Sequence, residues 1–271
     1  MNRTLIGPAL RLWAAVSADR KLFRLTALGL AVVSASGMLI AKLLDDVMGA
    51  DGVTGADRTI TDWVVQHRAA GMTTAAQAVT HLGDPLVVVG LALVTAAVLL
   101  VRRERRLAIL VAVSTSGAAV ATTVTKYAVH RARPNPAFWL GAASGPAFPS
   151  GHATQSVALY GALAIVGVRL ARSMSARVSI IGLATLIALA VGTTRVYLAV
   201  HWTSDVLCGW AVAVGWLSAL LLGGWSRPRA ALALRNHPTP TPPSVHGRRP
   251  THAGSVDFAR PRAHVANRST A

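Results

Sequence analysis

The stretch "TTRVYLAVHWTSD", residues 193–205, sets an arginine, a histidine and an aspartate into a region otherwise rich in Ala, Leu and Val. Apolar runs flank it, and their lengths decide the fold. A bilayer core of about 30 Å takes about 20 helical residues. Six runs approach that length: roughly 25–44, 85–101, 107–125, 153–170, 178–191 with an extension toward Val200, and 204–224. Lipid offers the backbone no hydrogen-bond partner, so each run must be a helix that satisfies itself. The expected fold is all-α, a polytopic membrane protein with a six-transmembrane-helix bundle.

Composition agrees with this reading. The 271 residues are 53% hydrophobic and only 14% charged, with a mean hydropathy of +0.49, outside the range of ordinary soluble domains. The single cysteine, Cys208, has no partner for an intrachain disulfide and no cluster for zinc, so helix packing must hold the fold. The net charge of +17 raises nucleic acid as a partner. The basic residues are spread over loops and a tail, however, with no single stripe interleaved with aromatics, so no nucleic-acid partner is expected.

Three regions follow. Residues 1–24 form a cytoplasmic segment in which Leu5, Ile6, Ala9, Leu10, Trp13 and Val16 recur at helical spacing among arginines, as in a helix lying at the interface. Residues 25–225 form the membrane domain. Its first run is too long for a signal-peptide core and lacks a small-residue cleavage site, so it reads as a retained anchor. Residues 226–271 hold seven of the 13 prolines and eight of the 27 Lys and Arg residues, a composition that cannot bury a core. This region reads as a disordered, basic, Pro-rich cytoplasmic tail attracted to anionic membrane lipids.

Orientation comes from the short loops. Arg20, Lys21 and Arg24, the loop Arg102 to Arg106, and Arg169, Arg172 and Arg177 alternate so as to share one face, which the positive-inside rule makes cytoplasmic. Both termini are then cytoplasmic in a multi-pass plasma-membrane protein. The opposite face receives the loop from Asp45 to Asp84, which carries six of the ten acidic residues. Ile60, Trp63, Val64, Met72, Ala75, Ala76 and Val79 suggest one or two short interfacial helices there.

Two outer connections break the charge rule. Residues 126–152, "KYAVHRARPNPAFWLGAASGPAFPSGH", carry Lys126, His130, Arg131, Arg133 and His152 without one acid, and the opening stretch adds Arg195, His201 and Asp205. Basic residues on a translocated side oppose the orientation signal, and an anionic ligand is the simplest reason to keep them. Asp205 is the only acid between Glu104 and Asp257, so it is expected to serve one specific partner and not to neutralise the site. His201 lies four residues earlier, a spacing that shares a helical face. A carboxylate on one imidazole nitrogen fixes the tautomer and raises the basicity of the other, making His201 a candidate nucleophile or base. In "FPSGHATQ", Ser150 can cap a helix and Gly151 permits close backbone approach, giving a phosphate-binding helix start with His152 beside it. "TSD", residues 203–205, similarly suits the start of the last helix.

These motifs resemble the type 2 phosphatidic acid phosphatase family, which shares its phosphate site with vanadium haloperoxidases. The family signature is Lys-x6-Arg-Pro, Pro-Ser-Gly-His and Ser-Arg-x5-His-x3-Asp. Here it is similar to Lys126 to Arg133-Pro134, to Pro149-Ser150-Gly151-His152, and to Thr194-Arg195 followed by His201 and Asp205. The resemblance spans roughly residues 60–223 and departs at Thr194, where the family has Ser. It implies phosphoryl transfer through a phosphohistidine, with neither metal nor other cofactor. His201, oriented by Asp205, would be the nucleophile and His152 the proton donor. Lys126, Arg133, Ser150, Gly151 and Arg195 would bind phosphate, while His130, Arg131 and Asn135 would line the entrance. The implied substrate is a lipid phosphate or diphosphate reached at the extracytoplasmic face: polyprenyl diphosphate, phosphatidic acid or phosphatidylglycerol phosphate. Recycling of a cell-envelope carrier lipid suits that face. The alternative class is a membrane transporter or anion-binding protein that uses the same basic cluster without hydrolysis.

Overall fold

The computed structural model describes residues 20–49 and 52–236. Residues 1–19 of the expected interfacial segment and 237–271 of the expected tail lie outside them. The elements are α1 (Arg20–Gly49), α2 (Val53–Gln66), α3 (Ala70–Thr80), a 3-10 turn (His81–Gly83), α4 (Pro85–Val101), α5 (Arg105–Val129), a second 3-10 turn (Pro136–Phe138), α6 (Gly151–Leu170), α7 (Met174–Tyr197) and α8 (Thr203–Asn236). Five helices are long and apolar enough to cross a membrane. Among the described residues these become six if the pair α3 and α4, bent by 46° at Asp84 after the first 3-10 turn, forms one span.

The helices begin where local chemistry allows. Pro85 opens α4 at a position where a missing N–H costs nothing. The Ser150 hydroxyl accepts the Ala153 N–H to cap α6, and the Ser173 hydroxyl caps α7 by accepting the Ala176 N–H at 3.2 Å. α5 stops at His130, whose left-handed φ of 51° cannot continue a helix.

α6 is the central helix, packed against α4, α5, α7 and α8. Half of its apolar window is buried. Val88, Leu99, Val111, Leu159 and Val166 form one continuous core between α4, α5 and α6, and the Ser114 hydroxyl donates across to the Ala158 carbonyl at 2.8 Å. The outward faces are as apolar as the core: Leu86 and Val101 are 89% and 84% exposed, and Leu93, Ile109, Leu183 and Leu186 are exposed with them. Water would not tolerate so much contiguous apolar surface, whereas lipid does. The chain is an integral membrane protein.

α2 and α3 are the two short helices expected between residues 60 and 79. In α2 the buried residues are Asp57 and Thr61, while Ile60 and Trp63 are exposed, so its polar face turns inward. Arg68, between α2 and α3, donates to the carbonyls of Tyr197 (2.8 Å) and Phe138 (2.9 Å), tying this outer layer to the end of α7.

Candidate active site

The segment that opened the reading is a hinge between two helices. α7 ends at Tyr197, Ala199 takes a left-handed φ of 54°, and the N–H groups of Val200 and His201 return to the Arg195 carbonyl. α8 begins at Thr203. His201 therefore precedes the helix that carries Asp205, and the two do not share a helical face as the spacing suggested. Asp205 instead folds back from the first turn of α8. Its Oδ2 accepts the Trp202 N–H at 2.9 Å and lies 3.3 Å from His201 Nδ1. Both side chains are buried.

Arg133 completes the imidazole's environment. Its guanidinium donates to His201 Nε2 at 3.0 Å and to the Val200 carbonyl at 2.5 Å. A guanidinium has no acceptor, so Nε2 carries the lone pair and Nδ1 carries the proton toward Asp205. Burial pushes the His201 pKa from its ordinary 6.5 down to about 3. Asp205 opposes the shift, and Arg133 and Lys126 add to it. Burial likewise lowers the Arg133 pKa, with Asp205 opposing. The ring is thus a neutral imidazole surrounded by cations.

All three basic residues of the motifs converge on one loop. Lys126, in the last turn of α5, donates to the Pro146 carbonyl and sits 3.4 Å from that of Ala147. Arg133 donates to the carbonyls of Gly145 (2.9 Å), Ser144 (2.9 Å) and Pro146 (3.3 Å). Arg195, in the last turn of α7, reaches Ala142 (3.3 Å) and the Thr80 hydroxyl (2.8 Å). Its Nε is buried without a partner. A buried donor left unpaired costs about 1–3 kcal/mol, so this orphan marks where an acceptor is missing.

The Pro-Ser-Gly-His segment docks at the same place. The Ser150 N–H donates to the Asp205 carbonyl at 2.9 Å, joining the start of α6 to the start of α8. Gly209 permits this crossing, because a Cβ there would stand 2.8 Å from the Ser150 carbonyl oxygen. His152, in the first turn of α6, has its Nε2 2.8 Å from Asp84 Oδ1. Lys126, Arg133, Ser150, Gly151, His152, Arg195, His201 and Asp205 are thereby assembled at one end of the bundle. Leu22, Arg169 and Arg177 line a cavity at the other end.

Several residues escaped the sequence reading. Asp205 does not serve a single partner, because Arg131 donates to its Oδ1 at 2.6 Å. Arg131 is consequently interior and not an entrance residue. It also pairs with Asp57 at 2.8 Å, and Asp57 accepts from the Ser204 N–H and hydroxyl. The acid-poor site borrows Asp57 and Asp84 from the acidic stretch before α4. His130 is exposed. Asn135 lines a small cavity of about 190 Å³ with Phe138 and Trp202, immediately beyond the motif residues Arg133 and His201.

Fold and site together define a helical integral membrane protein with a cationic, histidine-bearing cluster at one end. The model of the PAP2 superfamily matches residues 105–229, the segment that carries all three motifs. Among solved structures it is similar to the first transmembrane PAP2-type phosphatidylglycerolphosphate phosphatase from Bacillus subtilis. The identity is 26%, the match covers 73% of this chain and 94% of that one, and the TM-score is 0.62. Aquifex aeolicus LpxE is similar at 17% identity over 60% of this chain and 93% of that one, with a TM-score of 0.48. No curated protein matches. The family match and the Bacillus subtilis structure both support a phosphatase.

Proposed function

We propose that the protein hydrolyses lipid phosphates or diphosphates at the extracytoplasmic face of the membrane through a phosphohistidine intermediate. The observation that carries the reading is His201: Nδ1–H is held by Asp205, and the Nε2 lone pair is turned toward Arg133. An incoming phosphoryl group takes the guanidinium's donors and frees that lone pair. Nε2 then attacks phosphorus, the bond to the leaving oxygen breaks, and His152 gives that oxygen a proton. Water attacks the phosphohistidine, returns a proton to His152 and releases phosphate. Lys126, Arg133, Arg195 and the N–H groups at the start of α6 spread the transition-state charge, which is most of what phosphoryl transfer asks of a protein.

Among the described residues, no group of three or more His, Cys, Asp or Glu side chains is arranged to hold a metal ion. The cup's own cations take the charge-neutralising role in a metal-independent reaction. A site at the end of the bundle, above apolar helix faces, lets a lipid present its headgroup while its tails stay in the bilayer. The Bacillus subtilis relative acts on phosphatidylglycerol phosphate, which stands beside phosphatidic acid and polyprenyl diphosphate as a substrate. The arginine-rich loops at the opposite end support the outward orientation.

The test is phosphate release from these three lipids by purified protein in detergent with EDTA. Release that persists in EDTA and disappears in His201→Ala is expected. Turnover stopped by EDTA would overturn the metal-free scheme. Protection of an Asn135→Cys variant from an impermeant thiol reagent in intact cells would overturn the orientation.

A further inference from the structure

Asp84 stands outside the three motifs, yet it holds the imidazole of one of them. The residue lies at the 46° break between α3 and α4, in extended conformation just before Pro85. An aspartate in that position ordinarily caps the following helix with its side chain. Here it makes no cap bond to α4. Its Oδ1 is 2.8 Å from His152 Nε2, and its Oδ2 is 2.6 Å from His81 Nδ1.

The turn is built to keep it there. Gly83 presses so closely on its surroundings that a Cβ would stand 2.5 Å from Val191 and 3.2 Å from the His152 ring. The Tyr160 hydroxyl donates to the Leu82 carbonyl at 2.9 Å, fastening the turn to α6. Thr80, one turn earlier, receives Arg195. Side-chain exposure rises along the chain of bonds from His152 (18%) through Asp84 (34%) to His81 (69%).

We propose that Asp84 is the positioning residue for proton transfer by His152, with His81 fixing the carboxylate from the solvent side; the inference rests on the phosphatase reading above. Asp84 accepts the Nε2–H of His152, which fixes the ring and leaves Nδ1 to exchange the proton. In a cup lined by Lys126, Arg133 and Arg195, an imidazolium at 152 needs an anion against it, and Asp84 is that anion. As the bond from phosphorus to the leaving oxygen breaks, the Nδ1 proton passes to that oxygen. His152 is then neutral with Nε2–H still on Asp84, and the proton of the attacking water restores it. The arrangement mirrors the one between Asp205 and His201, so each histidine of the reaction has its own carboxylate.

Leaving-group dependence separates this role from a merely structural one. An alcohol leaving a lipid phosphate needs a proton, whereas p-nitrophenol departs readily without one. We expect Asp84→Asn to lower kcat/KM for dioctanoyl phosphatidic acid at least about tenfold more than for p-nitrophenyl phosphate, a part of the roughly 10²–10⁴-fold that general acid catalysis supplies. His152→Ala should share that signature, and His201→Ala should lose both activities. Because the readout is a ratio of two substrates in one preparation, it does not depend on how much of the variant folds. Equal loss on both substrates, or no loss on either, would overturn the role of Asp84. A wild-type protein inactive on both would overturn the phosphatase reading first, and this inference with it.

Discussion

The guanidinium of Arg133 lies 3.0 Å from Nε2 of His201, on the nitrogen opposite the one that faces Asp205. A cation thus sits against the nitrogen proposed to attack phosphorus, and its other donors rest on the carbonyls of residues 144–146.

Removing Arg131 leaves two buried carboxylates, Asp57 and Asp205, without their shared cation. Breaking a buried ion pair by deleting one partner costs about 3–5 kcal/mol. Arg131→Met should therefore lower the thermal midpoint in detergent and depress kcat, with Arg131→Lys falling between. An unchanged melting curve with full activity would show that the pairing is idle.

The His201 ring should be neutral well below its ordinary titration range. Its folded-state pKa of about 3 lies below the 6.5 of an unfolded chain, because burial penalises the imidazolium and Arg133 and Lys126 repel it. The contribution to stability is present above pH 6.5 and is lost as pH falls from there toward 3. Nitrogen NMR of labelled His201 should report neutral imidazole with Nδ1–H at pH 5. A midpoint at or above 6.5 would contradict the cationic surroundings.

Much of this was legible in the sequence, and the reason is local. The six apolar runs announced the bundle because lipid permits only self-satisfied helices, and the motif spacings singled out eight residues that the fold brings to one end of the bundle because each motif lies beside a helix end. Asp57, Asp84 and Thr80 were not legible, since their partners lie 68 to 147 positions away and only folding brings them together. The same is true of Arg131, which looked like one more basic residue in a basic loop. Its role appears only when α2 and α8 are placed on either side of it.

Orthovanadate should inhibit by occupying the cup and supplying the acceptor that Arg195 Nε lacks. A hydrogen bond to a charged group is worth about 1.5–3 kcal/mol. Arg195→Lys should therefore weaken vanadate inhibition roughly 10- to 100-fold in a competition assay. Inhibition unchanged by the substitution, or no inhibition of the wild type at millimolar vanadate, would place the anion elsewhere.

Gly209 sets the crossing that joins the α6 cap to the first turn of α8, which carries Asp205. A methyl group there meets the Ser150 carbonyl and the Thr154 hydroxyl at under 3 Å, and both are held by the fold. Overpacking of this kind costs about 1–3 kcal/mol. Gly209→Ala should lower the thermal midpoint and reduce kcat by displacing Ser150 from Asp205. Gly223→Ala, with nothing within 4 Å, should do neither. Equal behaviour of the two variants would remove the crossing from the account.

The claim on which everything turns is that His201 becomes bonded to phosphorus. Rapid acid-free quenching of the wild-type enzyme during turnover of a radiolabelled lipid phosphate, followed by peptide mapping, measures it directly. The account predicts an alkali-stable, acid-labile label on the peptide containing His201, absent from His201→Ala. Label on another residue, or a His201→Ala enzyme that still releases phosphate at a rate within tenfold of wild type, would contradict it.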